Sequence, residues 1–204
     1  MTSSTPLVTI VDDDEGMRES VGEILRSVGI GSVGFGSTAE MLASTLPDQP
    51  GCLILDVRLP GLSGLELQAK LAAAGSRMPI IFMSGYGDVP MTVRAMKAGA
   101  LDFLQKPFRD QDLIDAVTAA IEKDHEQRSR SSAAMEIAKL AATLTPRETQ
   151  VMDAVVRGLL NKQIAHELQL SEITVKIHRG NVMRKMKAAS VADLVRKAES
   201  VKAG

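Results

Sequence analysis

The stretch Leu53-Ile54-Leu55-Asp56-Val57-Arg58-Leu59-Pro60-Gly61 sets a short apolar run against a carboxylate and then breaks the chain at Pro-Gly. A run of Leu and Ile too short for a helix suits a strand buried on both faces of a parallel sheet, and Pro-Gly marks the turn after it. Asp56 then stands at the carboxyl end of a strand, where open α/β sheets place their ligands. A lone aspartate there more often just begins a turn, so its neighbours in space must decide its role.

The pattern recurs along the first half of the chain. Leu7 to Val11 is a second buried strand, ending in Asp12-Asp13-Asp14-Glu15, and such a run is costly unless a cation sits among the acids. Asp14 or Glu15 also suits the positive N-terminus of the helix that follows to about Ser27 and stops at Gly29. Ile30 to Phe35 is a glycine-interrupted strand, expected at the periphery of the sheet. Ser37-Thr38-Ala39-Glu40 offers a capping box and a helix to about Leu46. Gly64 to Ala74 reads as a helix with Leu65, Leu67 and Leu71 inward. Pro79 to Met83 is a strand ending in Ser84-Gly85-Tyr86-Gly87, Val89 to Ala98 a helix closed by Gly99, and Asp102 to Gln105 a strand ending in Lys106-Pro107.

Five strands alternating with helices predict a doubly wound, five-stranded parallel sheet with right-handed crossovers. Its strand ends bring Asp12, Asp13, Asp56, Ser84 and Lys106 to one rim. Three carboxylates and oxygen donors make a hard-cation site that suits Mg²⁺, which keeps several of its waters. Lys106 supplies a point charge for a phosphoryl oxygen and Ser84 a hydroxyl for another, which leaves Asp56 as the nucleophile.

Charge divides the chain. Residues 1–124 carry 10 Lys and Arg against 17 Asp and Glu, and residues 125–204 carry 14 against 8, so −7 is joined to +6 within a total of −1. An acidic body repels nucleic acid, whereas a small basic one gains affinity for it by counterion release. The one cysteine, Cys52, has no partner for a disulfide and lies in the Asp56 strand, as a small core residue would. No apolar run is long enough to cross a bilayer and no signal peptide is evident, so no membrane role and a cytoplasmic location are expected.

From Asp110 the spacing of Leu113, Ile114, Val117 and Ile121 is helical, and polar residues to Ser132 prolong it into a helical linker, 125–141. Residues 142–204 form a third part. Thr145-Pro146-Arg147-Glu148 is a strong helix start, with a capping hydroxyl, proline at the first turn and a carboxylate three residues on. That helix runs to Val156 and halts near Gly158. Asn161 opens a short helix with Ile164, Ala165 and Leu168 inward, Ser171 caps another built on Val175, Val182 and Met186, and a fourth begins near Val191. The tight Leu168-Gln169-Leu170-Ser171 turn suggests helix-turn-helix within this four-helix domain. Thr174, Lys176, Arg179, Asn181, Arg184 and Lys185 crowd the third helix with groups that reach phosphates and base edges. His125 lies in the solvated stretch and has no assigned function, and His178 suits packing or a phosphate contact rather than a metal, since no second ligand is spaced for it.

These motifs carry a resemblance. Asp12-Asp13 after the first strand, Asp56 in Leu-Asp-Val-Arg-Leu-Pro-Gly, Ser84, and Lys97-Ala-Gly-Ala-Leu-Asp-Phe103 with Lys106-Pro107-Phe108 resemble the flavodoxin-like receiver domain of bacterial response regulators. Thr145-Pro-Arg-Glu148, Asn161-Lys-Gln-Ile-Ala165 and Ser171 to Arg179 resemble the LuxR-type DNA-binding domain. Together they are similar to the NarL/FixJ family, and Gly85-Tyr-Gly-Asp-Val-Pro-Met91 leans toward its FixJ-like branch.

The resemblance implies a transcriptional regulator rather than an enzyme. A sensor histidine kinase phosphorylates Asp56, and Mg²⁺ is held by Asp13, Asp56 and the Arg58 backbone carbonyl, with Asp12 acting through water. Ser84 and Phe103 are switch residues, Lys106 contacts the phosphoryl group, and Lys106-Pro107 is cis as in the family. Ser171 to Met186 is the recognition helix. Lys176 and Ile177 fall where some members reach bases, whereas Gly180 stands where others have a long basic residue. Phosphorylation then favours a homodimer on double-stranded DNA, with RNA polymerase as a further partner. Arg58 and Tyr86 are placed to shield the acyl phosphate from water.

Other chemistries fit less well. In haloacid-dehalogenase-type phosphohydrolases the nucleophile follows the first strand and a second Asp stands two residues on, where this chain has Arg58. A flavodoxin-like cofactor binder needs a first loop that welcomes phosphate, which Asp12 to Glu15 would repel. A receiver unable to take phosphate should lack a site residue, and none is missing.

Overall fold

A computed structural model describes residues 5–45, 48–85 and 89–202. The chain divides into two units, residues 1–128 and 129–204.

In the first unit, strands β1 (Leu7–Val11), β2 (Gly31–Phe35), β3 (Gly51–Asp56), β4 (Ile80–Ser84) and β5 (Asp102–Gln105) alternate with helices α1 (Glu15–Ser27), α2 (Thr38–Ala43), α3 (Gly64–Ala73) and α4 (Val89–Lys97). Helix α5 (Asp110–Ala141) follows and continues past the unit boundary. All four strand pairings are parallel, in the order β2-β1-β3-β4-β5. The glycine-interrupted β2 takes an edge, where a strand with few side chains to pack loses least.

Every residue of β3 is buried, and its side chains alternate between two cores. Cys52 and Ile54 join Val21 and Leu25 of α1 and Leu113 and Val117 of α5. Leu53 and Leu55 join Met41 of α2, Leu67 of α3 and Ala95 of α4 on the other face. A strand covered on both sides needs no polar face, which is why its sequence reads as an unbroken apolar run. Burial pushes the Cys52 thiol up to about 12, with the Asp124 charge adding to it, so the side chain stays a neutral core residue.

Two helices depart from expectation. Helix α2 stops at Ala43, with Ser44 extended, short of the end expected near Leu46, which lies outside the described residues. Its capping box is only half made. Ser37 Oγ accepts the Glu40 N–H, but the Glu40 carboxylate reaches back one residue further and accepts from Gly36 N–H at 2.8 Å. In α3 Leu67 is buried and Leu65 and Leu71 pack against the same core as expected, but Gly64 and Gln68 are buried as well. The amide of Gln68 donates to the carbonyl of Ala95, so a polar group is buried between α3 and α4.

The second unit holds α6 (Pro146–Val156), α7 (Asn161–Leu168), α8 (Glu172–Lys185) and α9 (Val191–Lys202) around Val151, Val155, Ile164, Val175, Val182, Met186 and Leu194. Thr145 and Glu148 complete the expected capping box of α6. The turn from α7 to α8 passes through Gln169 in the left-handed region, φ 53°. No described helix is long and apolar enough to cross a membrane.

Candidate phosphoacceptor site and nucleic-acid interface

The sheet order reverses between β1 and β3, and the residues leaving these two strands meet there, at the crevice such sheets offer ligands. Asp12, Asp13 and Asp56 bring carboxylate oxygens within 4.8 Å of one another. Asp12 is fully buried, Asp56 nearly so, and Asp13 is exposed. Hard oxygen donors at this spacing, one of them open to solvent, fit a divalent cation that retains waters.

The acids are held from several sides. Lys106 Nζ donates to Asp12 Oδ2 at 2.6 Å and to Asp56 Oδ2 at 3.0 Å. Asp12 Oδ1 accepts the Asp14 N–H, and Asp56 Oδ1 accepts the Arg58 N–H, both at 3.0 Å. Burial raises the pKa of Asp12, and the Lys106 ammonium and Asp14 N–H only partly pull it back. Burial opposes the charge on Lys106, but its hydrogen bonds to Asp12 and Asp56 outweigh that, so its pKa is raised and it stays an ammonium. Asp14 caps α1 by accepting the Met17 N–H. Of the four-acid run, Asp12 and Asp13 therefore serve the cluster, and Asp14 serves the helix.

Ser84 is buried at the end of β4, on the same rim. Phe103 is half-buried on β5, its ring 6.3 Å from that of Phe82. The Lys106-Pro107 bond is cis, as the resemblance implies. Arg58 is exposed, and Tyr86 lies outside the described residues.

Two positioning residues had no sequence signal. Arg18, one turn into α1, donates Nη1 to the carbonyl of Asp12 at 2.7 Å and so braces the turn that presents the acids. Gly64 opens α3 against the strand that carries Asp56. A Cβ there would stand 2.3 Å from the Asp56 carbonyl oxygen, so any side chain forces the backbone under Asp56 to shift.

In the second unit, α8 begins at the cap Ser171, whose Oγ accepts the Thr174 N–H. The residues expected to contact DNA fall into two groups. Lys176, Ile177 and Arg184 are exposed. Thr174, Arg179, Asn181 and Lys185 are half-buried and engaged within the unit. Arg179 donates to Asn161 Oδ1 at 2.6 Å, Asn181 accepts from Arg184, and the Thr174 hydroxyl pairs with Ser171.

Lys185 departs furthest from the expected open basic face. Its ammonium is turned back onto Glu148 at 2.6 Å and onto the Thr143 carbonyl at 3.0 Å. Lys185 and the Thr145 N–H together hold the Glu148 carboxyl down to about 2. A carboxyl depressed this way stabilises the fold above its unfolded value, about 4.5, and loses that contribution as pH falls toward 2. Glu148→Gln should therefore lower the urea midpoint of the second unit at pH 7 and flatten its decline between pH 5 and 2.5, read by far-UV circular dichroism. Parallel pH profiles for the two proteins would rule out this anchoring role.

Comparison with known proteins matches both units. Residues 8–118, more than half of the chain, match the response regulator receiver domain family, and residues 142–198 match the luxR family of bacterial regulatory proteins. The chain belongs to the response regulators. It is 56% identical over 199 residues to Nodulation protein W of Bradyrhizobium diazoefficiens, covering 98% of this chain and 88% of that one. It is 47% identical over 198 residues to the transcriptional regulatory protein FixJ of Azorhizobium caulinodans, covering 97% and 93%. Among solved structures, the response regulator StyR superposes with a TM-score of 0.84 at 45% identity, covering 96% of this chain and 99% of that one. Full-length FixJ from B. japonicum superposes with a TM-score of 0.57 at 40% identity, covering 97% and 98%. A receiver joined to a LuxR-type DNA-binding domain makes this response regulator a transcriptional regulator of a two-component system.

Proposed function

We propose that Asp56 is the phosphoacceptor of this regulator and that a sensor histidine kinase is the donor. The observation that carries the reading is the convergence of Asp12, Asp13, Asp56 and Lys106 on one rim, with Ser84 beside them. A carboxylate oxygen of Asp56 attacks phosphorus, the N–P bond of the phosphohistidine breaks, and an acyl phosphate forms as the imidazole takes up a proton from water. Asp13, Asp56 and the Arg58 carbonyl would hold Mg²⁺, with Asp12 acting through water, and the cation would offset the negative charge gathered at the rim. Lys106 then exchanges a carboxylate for a phosphoryl oxygen, and Ser84 donates to another. The regulator stores the phosphoryl group as a signal and is not a turnover enzyme.

In this reading residues 1–124 receive the signal, 125–141 carry it through α5, and 142–204 bind DNA in the cytoplasm. The phosphoryl group adds roughly −1.5 to −2 charge, which draws in Ser84 and Lys106, lets Phe103 turn inward and remodels the face made by α4, β5 and α5. An apolar stripe on α4 supports pairing of two receivers there, since Val89, Val93 and Met96 are 77%, 43% and 43% exposed. Dimers bind two half-sites on double-stranded DNA, and α8 enters the major groove with Lys176, Ile177 and Arg184 outward. Lys185 reaches DNA only by giving up its ion pair with Glu148, whereas Thr174, Arg179 and Asn181 are oriented by hydrogen bonds within the unit. RNA polymerase is the remaining partner in this scheme, and Arg58 screens the acyl phosphate from water.

The test is light scattering and DNA binding with and without acetyl phosphate and Mg²⁺. The expected result is a doubling of mass together with tighter binding. Tighter binding by a protein that stays monomeric would replace dimerisation with relief of domain masking.

A further inference from the structure

The outward face of α8 is not uniformly polar. Ile173 is 75% exposed and Ile177 59% exposed. They stand four residues apart on one face of the helix, with exposed Lys176 beside them and exposed Gly180 next along the same stripe. Single apolar side chains on a surface are ordinary. This pair differs because the fold makes no use of it. Val175 and Val182 already supply the helix's contact with the core and are fully buried. A side chain at Gly180 would meet nothing within 4 Å, so the stripe is bare backbone there and a ligand can approach closely.

The surroundings specify the occupant. Lys176 and Arg184 flank the pair, and neither has an ion pair among the described residues, so the face suits a polyanion better than an apolar protein surface. In the major groove of DNA the apolar feature on a base edge is the thymine 5-methyl group. From this exposure, spacing and flanking charge we infer that Ile173 and Ile177 read thymine methyl groups and select T·A pairs at two positions of each half-site. The inference rests on the DNA-binding reading above and adds which bases are chosen and by what chemistry. Four residues advance a helix by about 6 Å, against about 3.4 Å per base along one strand. The two methyl groups therefore lie roughly two base steps apart.

The experiment uses the full chain with acetyl phosphate and Mg²⁺ to enrich tight-binding duplexes from a random pool. Each thymine of the enriched site is then replaced by uracil, which removes only the methyl group, and affinity is measured at one fixed salt concentration. Uracil at the two read positions should weaken binding about fourfold each, the equivalent of ~0.8 kcal/mol per methyl group removed from contact. Ile173→Ala should lose a similar factor on the thymine site and lose nothing further when its own thymine becomes uracil. Ile173 is exposed, so the variant should fold as the parent does. Tight, selective binding that tolerates uracil everywhere would overturn the inference while leaving the DNA-binding reading intact. Failure to enrich any duplex would instead count against that reading. A change in self-association by Ile173→Ala without DNA would assign the face to a second copy of the chain and overturn the inference as well.

Discussion

Asp56→Asn should abolish phosphoryl uptake while leaving the fold in place. With acetyl phosphate and Mg²⁺ the parent protein gains the mass of one phosphoryl group, and the variant gains none. The expectation is all-or-none because the amide oxygen is a far weaker nucleophile than a carboxylate, and the neighbouring acids are not equivalent to Asp56. Asp12 is fully buried, with one oxygen taken by Lys106 and the other by the Asp14 N–H. The fold should survive because asparagine keeps an oxygen to accept the Arg58 N–H, while Lys106 keeps its contact with Asp12. Excess EDTA should silence the parent protein too, since an incoming phosphoryl anion must otherwise approach three carboxylates. Full labelling of the variant, or of the parent in EDTA, would remove Asp56 and the cation from the scheme. Intact mass spectrometry reads both arms.

Removing the cation from the rim should have the second largest effect. Lys106→Met keeps much of the alkyl stem and deletes the ammonium that serves Asp12 and Asp56 together. The side chains of Lys106, Asp12 and Asp56 are 15%, 0% and 12% exposed, so little solvent is available to replace it. Breaking a buried pair on one side costs about 3–5 kcal/mol, and the partly open rim lowers the expected loss to roughly 2–4 kcal/mol. With a urea slope near 2 kcal/mol/M, the midpoint of the receiver unit falls by about 1–2 M without Mg²⁺.

The same change should tighten Mg²⁺ binding, on the order of tenfold, because the cation no longer competes with an ammonium for the carboxylates. Added Mg²⁺ should accordingly restore more stability to the variant than to the parent. Urea unfolding with and without Mg²⁺ reads both effects. An unchanged midpoint with unchanged Mg²⁺ affinity would mean that the Lys106 contacts to Asp12 and Asp56 carry no net stability.

The sheet and the identity of its rim were legible from sequence because each signal is local. An apolar run broken by an acid marks where a strand ends, and the alternation of runs with helical spacing leaves a parallel sheet as the way to bury them all. The carboxyl ends of parallel strands fall on one edge whatever the details of packing, so four of them, β1, β3, β4 and β5, bring Asp12, Asp13, Asp56, Ser84 and Lys106 together. The capping box at Thr145 and Glu148 was equally legible, since both partners lie within one turn.

What tertiary structure alone decided is which charge meets which. Nothing in the spacing of Arg18 says that it braces the Asp12 carbonyl, or in Gly64 that its missing Cβ leaves room for the Asp56 carbonyl. Asp124 sits in a polar stretch of α5, yet it is buried, accepts the Gly51 N–H at the start of the strand that carries Asp56, and is paired with Arg128. Lys185 carries the helical spacing of a DNA-facing residue and is committed instead to Glu148, thirty-seven residues away in sequence. Periodicity specifies the face on which a side chain leaves its own element. Its partner depends on the crossing and register of elements distant in the chain, and those are set by the packing of the whole core.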